Sequence, residues 1–167
     1  MKLREWIIAI TLASCSESPQ RNEYDVFVDS IMKQSNNFDA EKLVQGLPGI
    51  WELDAKFYYD DTWETVVSPL VFMDRWYVEG SGPQKYTFAA DKTGIFYFTS
   101  SSLSVDEPHS ICFNWHYDAE NHKLVMNSED GFNEQRTVSG FNDEYLVLDY
   151  VGSNDKNIRE IFKKSYE

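Results

Sequence analysis

Between Leu47 and Asp60, Trp51, Leu53, Ala55, Phe57 and Tyr59 fall on one side of a two-residue period, with Glu52, Asp54, Lys56 and Asp60 on the other. Successive side chains of a strand point to opposite faces, so 49–59 is predicted as a half-buried strand that something apolar must cover. Two shorter segments before it follow the helical period instead. Tyr24, Phe27, Val28 and Ile31 recur at i, i+3, i+4 and i+7, which predicts a helix over 24–32 with Asn22 at its cap. Asp39 opens a second turn of helix through Leu43 and Val44, and Gly46, lacking a Cβ, stops it.

The second half of the chain is a ladder of alternating runs broken by turn residues. Tyr86 and Phe88 turn at Asp91-Lys92-Thr93-Gly94 into Phe96 and Phe98. Ile111, Phe113, Trp115 and Tyr117 then alternate with Cys112, Asn114, His116 and Asp118. Further turns at 118–121, 129–131, 142–143 and 152–155 separate the runs that follow, a spacing suited to a meander. Eight runs result: 49–59, 84–90, 94–100, 110–118, 123–128, 132–139, 144–151 and 157–164. Eight up-and-down antiparallel strands close into a β-barrel without open edges, and its interior is either filled or holds one small ligand. The fold class is therefore all-β with one or two short N-terminal helices.

One stretch does not fit the ladder. Residues 60–83 hold Trp63, Phe72, Trp76 and Tyr77 but are interrupted by Pro69, Gly80, Gly82 and Pro83. Two weak strand-like pieces, 63–67 and 71–78, lie within it. A connection so long and aromatic reads as a lid over the barrel mouth.

Composition narrows the partners. The 167 residues suffice for one domain, and 16% of them are aromatic. A formal charge of −13, with no basic cluster beyond Lys163-Lys164, argues against nucleic acid as a partner. Lys2 and Arg4 precede a short apolar run from Trp6 to Ala13, the layout of a secretory signal too short to span a bilayer. Leu12-Ala13-Ser14-Cys15 resembles the lipobox of bacterial lipoproteins. That resemblance implies removal of a signal peptide at 1–14, lipid on Cys15, a tether over 15–23, and a lipid-anchored protein of the Gram-negative cell envelope, at its outer membrane. The domain plan continues with a helical segment at 24–46 and the barrel at 47–167. Lipid on Cys15 leaves Cys112 as a lone thiol, expected to be a small half-buried side chain with no disulfide.

Gly49-Ile50-Trp51 follows a short helical turn and opens the first strand, and Arg159 sits in the last one. This arrangement resembles the G-x-W start and the cross-packing arginine of the lipocalins, and the 60–83 connection matches the position of their lid loop. The family's T-D-Y between middle strands has no counterpart, which narrows the resemblance to a lipocalin-like barrel. It implies that Trp51 and Arg159 form a structural pair closing one barrel end, with cation–π stacking between them.

No nucleophile motif, phosphate-binding glycine loop or tight metal-ligand set occurs, so no enzyme activity, cofactor or metal is assigned. His109, His116 and His122 read as surface residues, and the paired carboxylates at 60–61, 129–130 and 143–144 as solvated turns. Glu134 and Arg136 share one strand face with Val138; an interior face would make them a polar spot inside an aromatic cavity. The expected ligand-binding residues are Trp63, Trp76, Tyr86, Phe96, Phe98, Trp115 and Tyr117. Two functions are open at this point: a barrel that binds a small apolar or amphipathic molecule, or an anchored module with a solid barrel that meets a protein partner as an inhibitor or envelope assembly factor.

Overall fold

The computed structural model describes residues 23–64, 66–72, 75–76, 83–102, 105–153 and 155–166. The expected signal, lipid site and tether through residue 22 lie outside the described residues. Strand β1 (Gly49–Tyr59) is the hub of the sheet. Along one edge it pairs antiparallel with β10 (Asn157–Ser165) over its whole length. Its other edge is shared: Gly49 to Glu52 pair with β4 (Gln84–Phe88), and Ala55 to Tyr59 pair with β2 (Val66–Phe72). From β4 the meander runs through β5 (Thr93–Ser102), β6 (Val105–Asp118), β7 (Lys123–Asn127), β8 (Asn133–Phe141) and β9 (Tyr145–Val151) back to β10. Pairing of β10 with β1 closes an antiparallel barrel of eight strands, the number expected from the alternating runs.

The weak pieces of the 60–83 connection behave differently from a lid. Residues 66–72 are β2, hydrogen-bonded to β1, and Arg75–Trp76 form a short β3 paired with β2. Pro69 sits opposite Phe57 between two register shifts, so a missing N–H is accommodated by bulges instead of excluding the strand from the sheet. Val66, Leu70 and Val71 are buried. The described part of the connection is therefore wall, not cover, while residues 65, 73–74 and 77–82 lie outside the described residues.

A bulge at Asp54 divides β1. Leu53 pairs with Phe162, but Ala55 pairs with Ile161, so one extra residue reverses which face each later side chain takes. Trp51 and Leu53 belong to the barrel core, whereas Ala55, Phe57 and Tyr59 pack outside with Val28 and Ile31 of α1 (Glu23–Ser35). The two-residue alternation survives this reversal because α1 supplies a second apolar cover. A further bulge between Val138 and Gly140 lets α1 approach closely; a Cβ on Gly140 would stand 2.5 Å from the Ser35 hydroxyl.

Helix α2 (Ala40–Gly46) is capped by Asp39, whose carboxylate accepts from the Lys42 amide at 2.8 Å. Leu43 and Leu47 are fully buried beside Trp51 and form the floor of the barrel. Gly46 ends this helix for want of space rather than for handedness, since a Cβ would meet the Phe141 ring at 2.9 Å. Gly49 does take a left-handed φ of 141°.

Candidate functional site

The barrel interior has two halves of different chemistry. At the floor, Trp51 is fully buried, donates from Nε1 to the Leu47 carbonyl at 2.8 Å, and packs against Phe141. The cation over its ring is Lys164, at 5.0 Å from the centroid, with Nζ donating to the Gly46 carbonyl at 2.7 Å. This corrects the expected Trp51–Arg159 pair. Register sets Trp51 opposite Lys164 and Arg159 opposite Phe57, beyond the bulge and on the outer face. There Arg159 makes a bidentate pair with Asp149 at 2.7 and 2.6 Å and lies over the rings of Tyr59 and Trp63.

Above the floor the interior becomes charged. The reversal at Asp54 turns Lys56 inward, where its Nζ meets Glu160 at 2.7 Å. The Tyr150 hydroxyl donates to the same carboxylate at 3.0 Å, and the Arg136 guanidinium lies 3.3 Å from the Tyr150 ring centroid. Arg136 also pairs with Glu134 at 2.6 Å. Burial works to raise the pKa of Glu160, but the charges of Lys56 and Arg136 outweigh it and hold the carboxyl below its ordinary value. Burial and the neighbouring Glu160 push the Tyr150 phenol up to about 12. The Nε of Arg136 is buried and, among the described residues, has no hydrogen-bond partner.

This charged layer lies beside a break in the wall. β8 pairs with β9 only from Thr137–Asp149 to Phe141–Leu146, although β7 follows β8 back to Asn133 and β10 follows β9 out to Val151. Residues 133–136 and 150–151 thus flank a notch cut from the open rim. A recess of about 650 Å³ occupies it, lined on one side by Glu134, Gln135, Arg136 and Thr137, and on the other by Asp149, Tyr150, Val151 and Gly152. Lys123, Trp63 and Arg159 line its outer surface. Trp63 has a left-handed φ of 62°, a conformation rare for a bulky residue.

The structure distributes the expected ligand residues among five places. Tyr86, Phe96 and Phe98 form one stacked column, with centroids 4.5 and 5.2 Å apart. Phe132 extends it at 6.3 Å from Phe96. Trp115 is committed elsewhere: it is 2% exposed, its Nε1 donates to the Ala89 and Thr93 carbonyls, and Lys92 lies 3.9 Å from its ring centroid. Tyr117 pairs with His122 at 3.2 Å near the turn after β6. Trp63 stands outside the barrel wall, against Tyr59. Trp76 belongs to β3 by its backbone, and its side chain lies outside the described residues. Cys112 is exposed, not half-buried as expected.

Lys56, Tyr150 and Glu160 were not among the expected site residues. The signal was present in the last strand, where Glu160 interrupts an apolar alternation between Ile158 and Phe162. Lys56 stands directly opposite it in register. Among the described residues, no group of three His, Cys, Asp or Glu side chains is placed to hold a metal ion, and no helix is long and apolar enough to cross a membrane.

No family model and no curated protein matches the chain. Solved structures do. One is a deswapped triple mutant of bovine odorant binding protein, 14% identical, covering 73% of this chain and 76% of that one with a TM-score of 0.43. Another is the siderocalin Ex-FABP, whose structure is described as serving dual ligand specificities; it is 13% identical over 73% of this chain and 76% of its own, with a TM-score of 0.32.

Proposed function

We propose that this chain is a binding barrel for a small amphipathic molecule, held at the bacterial outer membrane by lipid on Cys15. The observation that carries the reading is the division of the interior. Phe96 and Phe98, half-buried and stacked on the buried Tyr86, offer flat apolar surface, and the charged layer around Glu160 and Arg136 completes the interior. Buried ion pairs of this kind seldom stabilise a fold more than apolar residues of similar volume would. Their presence in a core that aromatics could have filled supports a role in recognition, and sites that combine apolar walls with a few convergent polar groups suit amphipathic ligands.

Titration of residues 23–167 with 1-aminoanthracene, read by its fluorescence rise and by displacement with decanoate or decan-1-ol, tests the reading. Saturable binding at one site, displaced by a ten-carbon chain, is expected. Absence of any saturable rise sinks it. The second reading then leads: a solid barrel whose acidic surface meets a protein partner. The tight packing of Trp51, Phe88, Trp115 and Phe162 at the floor favours that alternative. Anchoring is a separate matter, tested by mass spectrometry of the membrane fraction: an acylated N-terminal Cys15 is expected, and an intact Met1 on released protein contradicts it.

A further inference from the structure

The notch between β8 and β9 has a polarity that the aromatic column does not explain. Across four strands the register lines up Lys123, Thr137, Asp149 and Arg159 in one row on the outer face of the wall. Glu134 and Arg136 project from the same part of β8 to its other face, as Leu124 and Met126 opposite them do. The recess is lined by three cations, Lys123, Arg136 and Arg159, and by two carboxylates, Glu134 and Asp149. It therefore carries a formal charge of +1 in a chain whose total is −13.

The five groups are not equally committed. Asp149 is taken up by two hydrogen bonds from Arg159 and a third, at 2.5 Å, from the Ser139 hydroxyl. Arg136 gives one terminal nitrogen to Glu134 and rests its plane on Tyr150, while its Nε has no hydrogen-bond partner among the described residues. The Arg136 residue as a whole is 9% exposed. A buried N–H without an acceptor is costly, and an acceptor placed against it removes that cost. Because the guanidinium is charged, an anionic acceptor gains more than a neutral one.

Resting on the binding-barrel reading, we infer that the β8–β9 notch is the site for the ligand's polar end, and that this end is a monoanion such as a carboxylate. Arg136 Nε donates to it, and Lys123 supplies the balancing charge from the outer lip. The apolar part passes beneath Tyr150 toward the half-buried Phe96 and Phe98. Ligand thus lies across a side opening in the wall, rather than hanging from the open mouth alone. A single anion leaves the recess neutral; a second negative charge would leave it with a net charge of −1.

The test compares decanoate with decan-1-ol as displacers of 1-aminoanthracene from the wild type, Arg136→Lys and Lys123→Gln, with near-ultraviolet circular dichroism confirming the fold of each. Arg136→Lys keeps a cation for Glu134 but removes the Nε donor. The wild type is expected to prefer decanoate by about 10- to 100-fold, the range for a hydrogen bond to a charged group. Arg136→Lys abolishes that preference, and Lys123→Gln narrows it. Equal affinity of the wild type for the two displacers overturns the inference, as does a preference that survives Arg136→Lys. Should Arg136→Lys fail to fold, Lys123→Gln decides, and an unchanged preference there overturns it. If neither displacer binds any of the proteins, the binding-barrel reading itself fails, an outcome distinct from the others.

Discussion

The floor of the barrel and the layer above it are built from the same strands, yet they are held together by different forces. At the floor Trp51, Leu43, Leu47 and Phe162 are fully buried and make apolar contacts in which every methylene counts. One layer higher, the same β1 and β10 present Lys56 and Glu160 to each other. The difference is made by one inserted residue, Asp54. It sends the apolar side chains of the second half of β1 outward under α1 and leaves the polar set facing in. One half of the interior is packed for stability, and on the proposed reading the other is kept for ligand recognition.

The comparison breaks first at the floor. Trp51→Ala removes a fully buried indole together with its hydrogen bond to Leu47, and should cost about 3–5 kcal/mol in urea unfolding. A loss below about 1 kcal/mol would mean that the floor is not the stabilising half.

Next comes the charged layer. Lys56→Met strands the Glu160 carboxylate, a change that costs about 3–5 kcal/mol at neutral pH when a buried partner is removed. Acid then separates the two proteins. In the wild type the pKa of Glu160 is depressed, so its contribution is fully present above the ordinary value of 4.5 and is lost as pH falls through the lower folded value. In Lys56→Met burial acts with less opposition and raises that pKa, so the deficit relative to wild type should narrow as pH falls. Parallel stability curves for the two proteins would contradict this.

The smallest effect tests which cation closes the floor. Lys164→Met should cost about 0.5–2 kcal/mol from the lost cation–π contact and should alter Trp51 emission. Arg159→Met should leave Trp51 emission unchanged, because its guanidinium lies over Tyr59 and Trp63 outside the wall.

Most of the wall was legible in the sequence, and the reason is physical. Each run turns one face toward the barrel core, so period two stays plain in strands such as β4 and β7, whereas in β9 and β10 Val147 and Ile161 break it because α1 covers the outer wall there as well. The reversal at Asp54 was hidden because α1 covers the outer face of β1. Ala55, Phe57 and Tyr59 stay apolar on either side of the sheet, and alternation alone cannot tell which. The same hidden reversal put Lys56 among solvent-facing residues and Arg159 opposite Trp51. Trp115 resembled a ligand contact because its ring is large and alternates inward, whereas the carbonyls of Ala89 and Thr93 that take up its N–H belong to a distant turn. Pro69 disguised β2, since the bulges that accommodate it arise from pairing with β1 and have no local signature.

The claim that the charged layer is kept for binding and not for stability is tested most directly in the double variant Lys56→Met/Glu160→Leu. Its urea-unfolding midpoint and its decanoate affinity are measured on the same preparation. Replacing both partners by apolar side chains removes the desolvated charges without stranding either, so stability should equal the wild type or exceed it by about 1–4 kcal/mol. Decanoate affinity should fall by about tenfold or more, because Tyr150 loses the carboxylate that orients its ring beneath Arg136. A midpoint well below wild type with decanoate affinity intact would contradict the account.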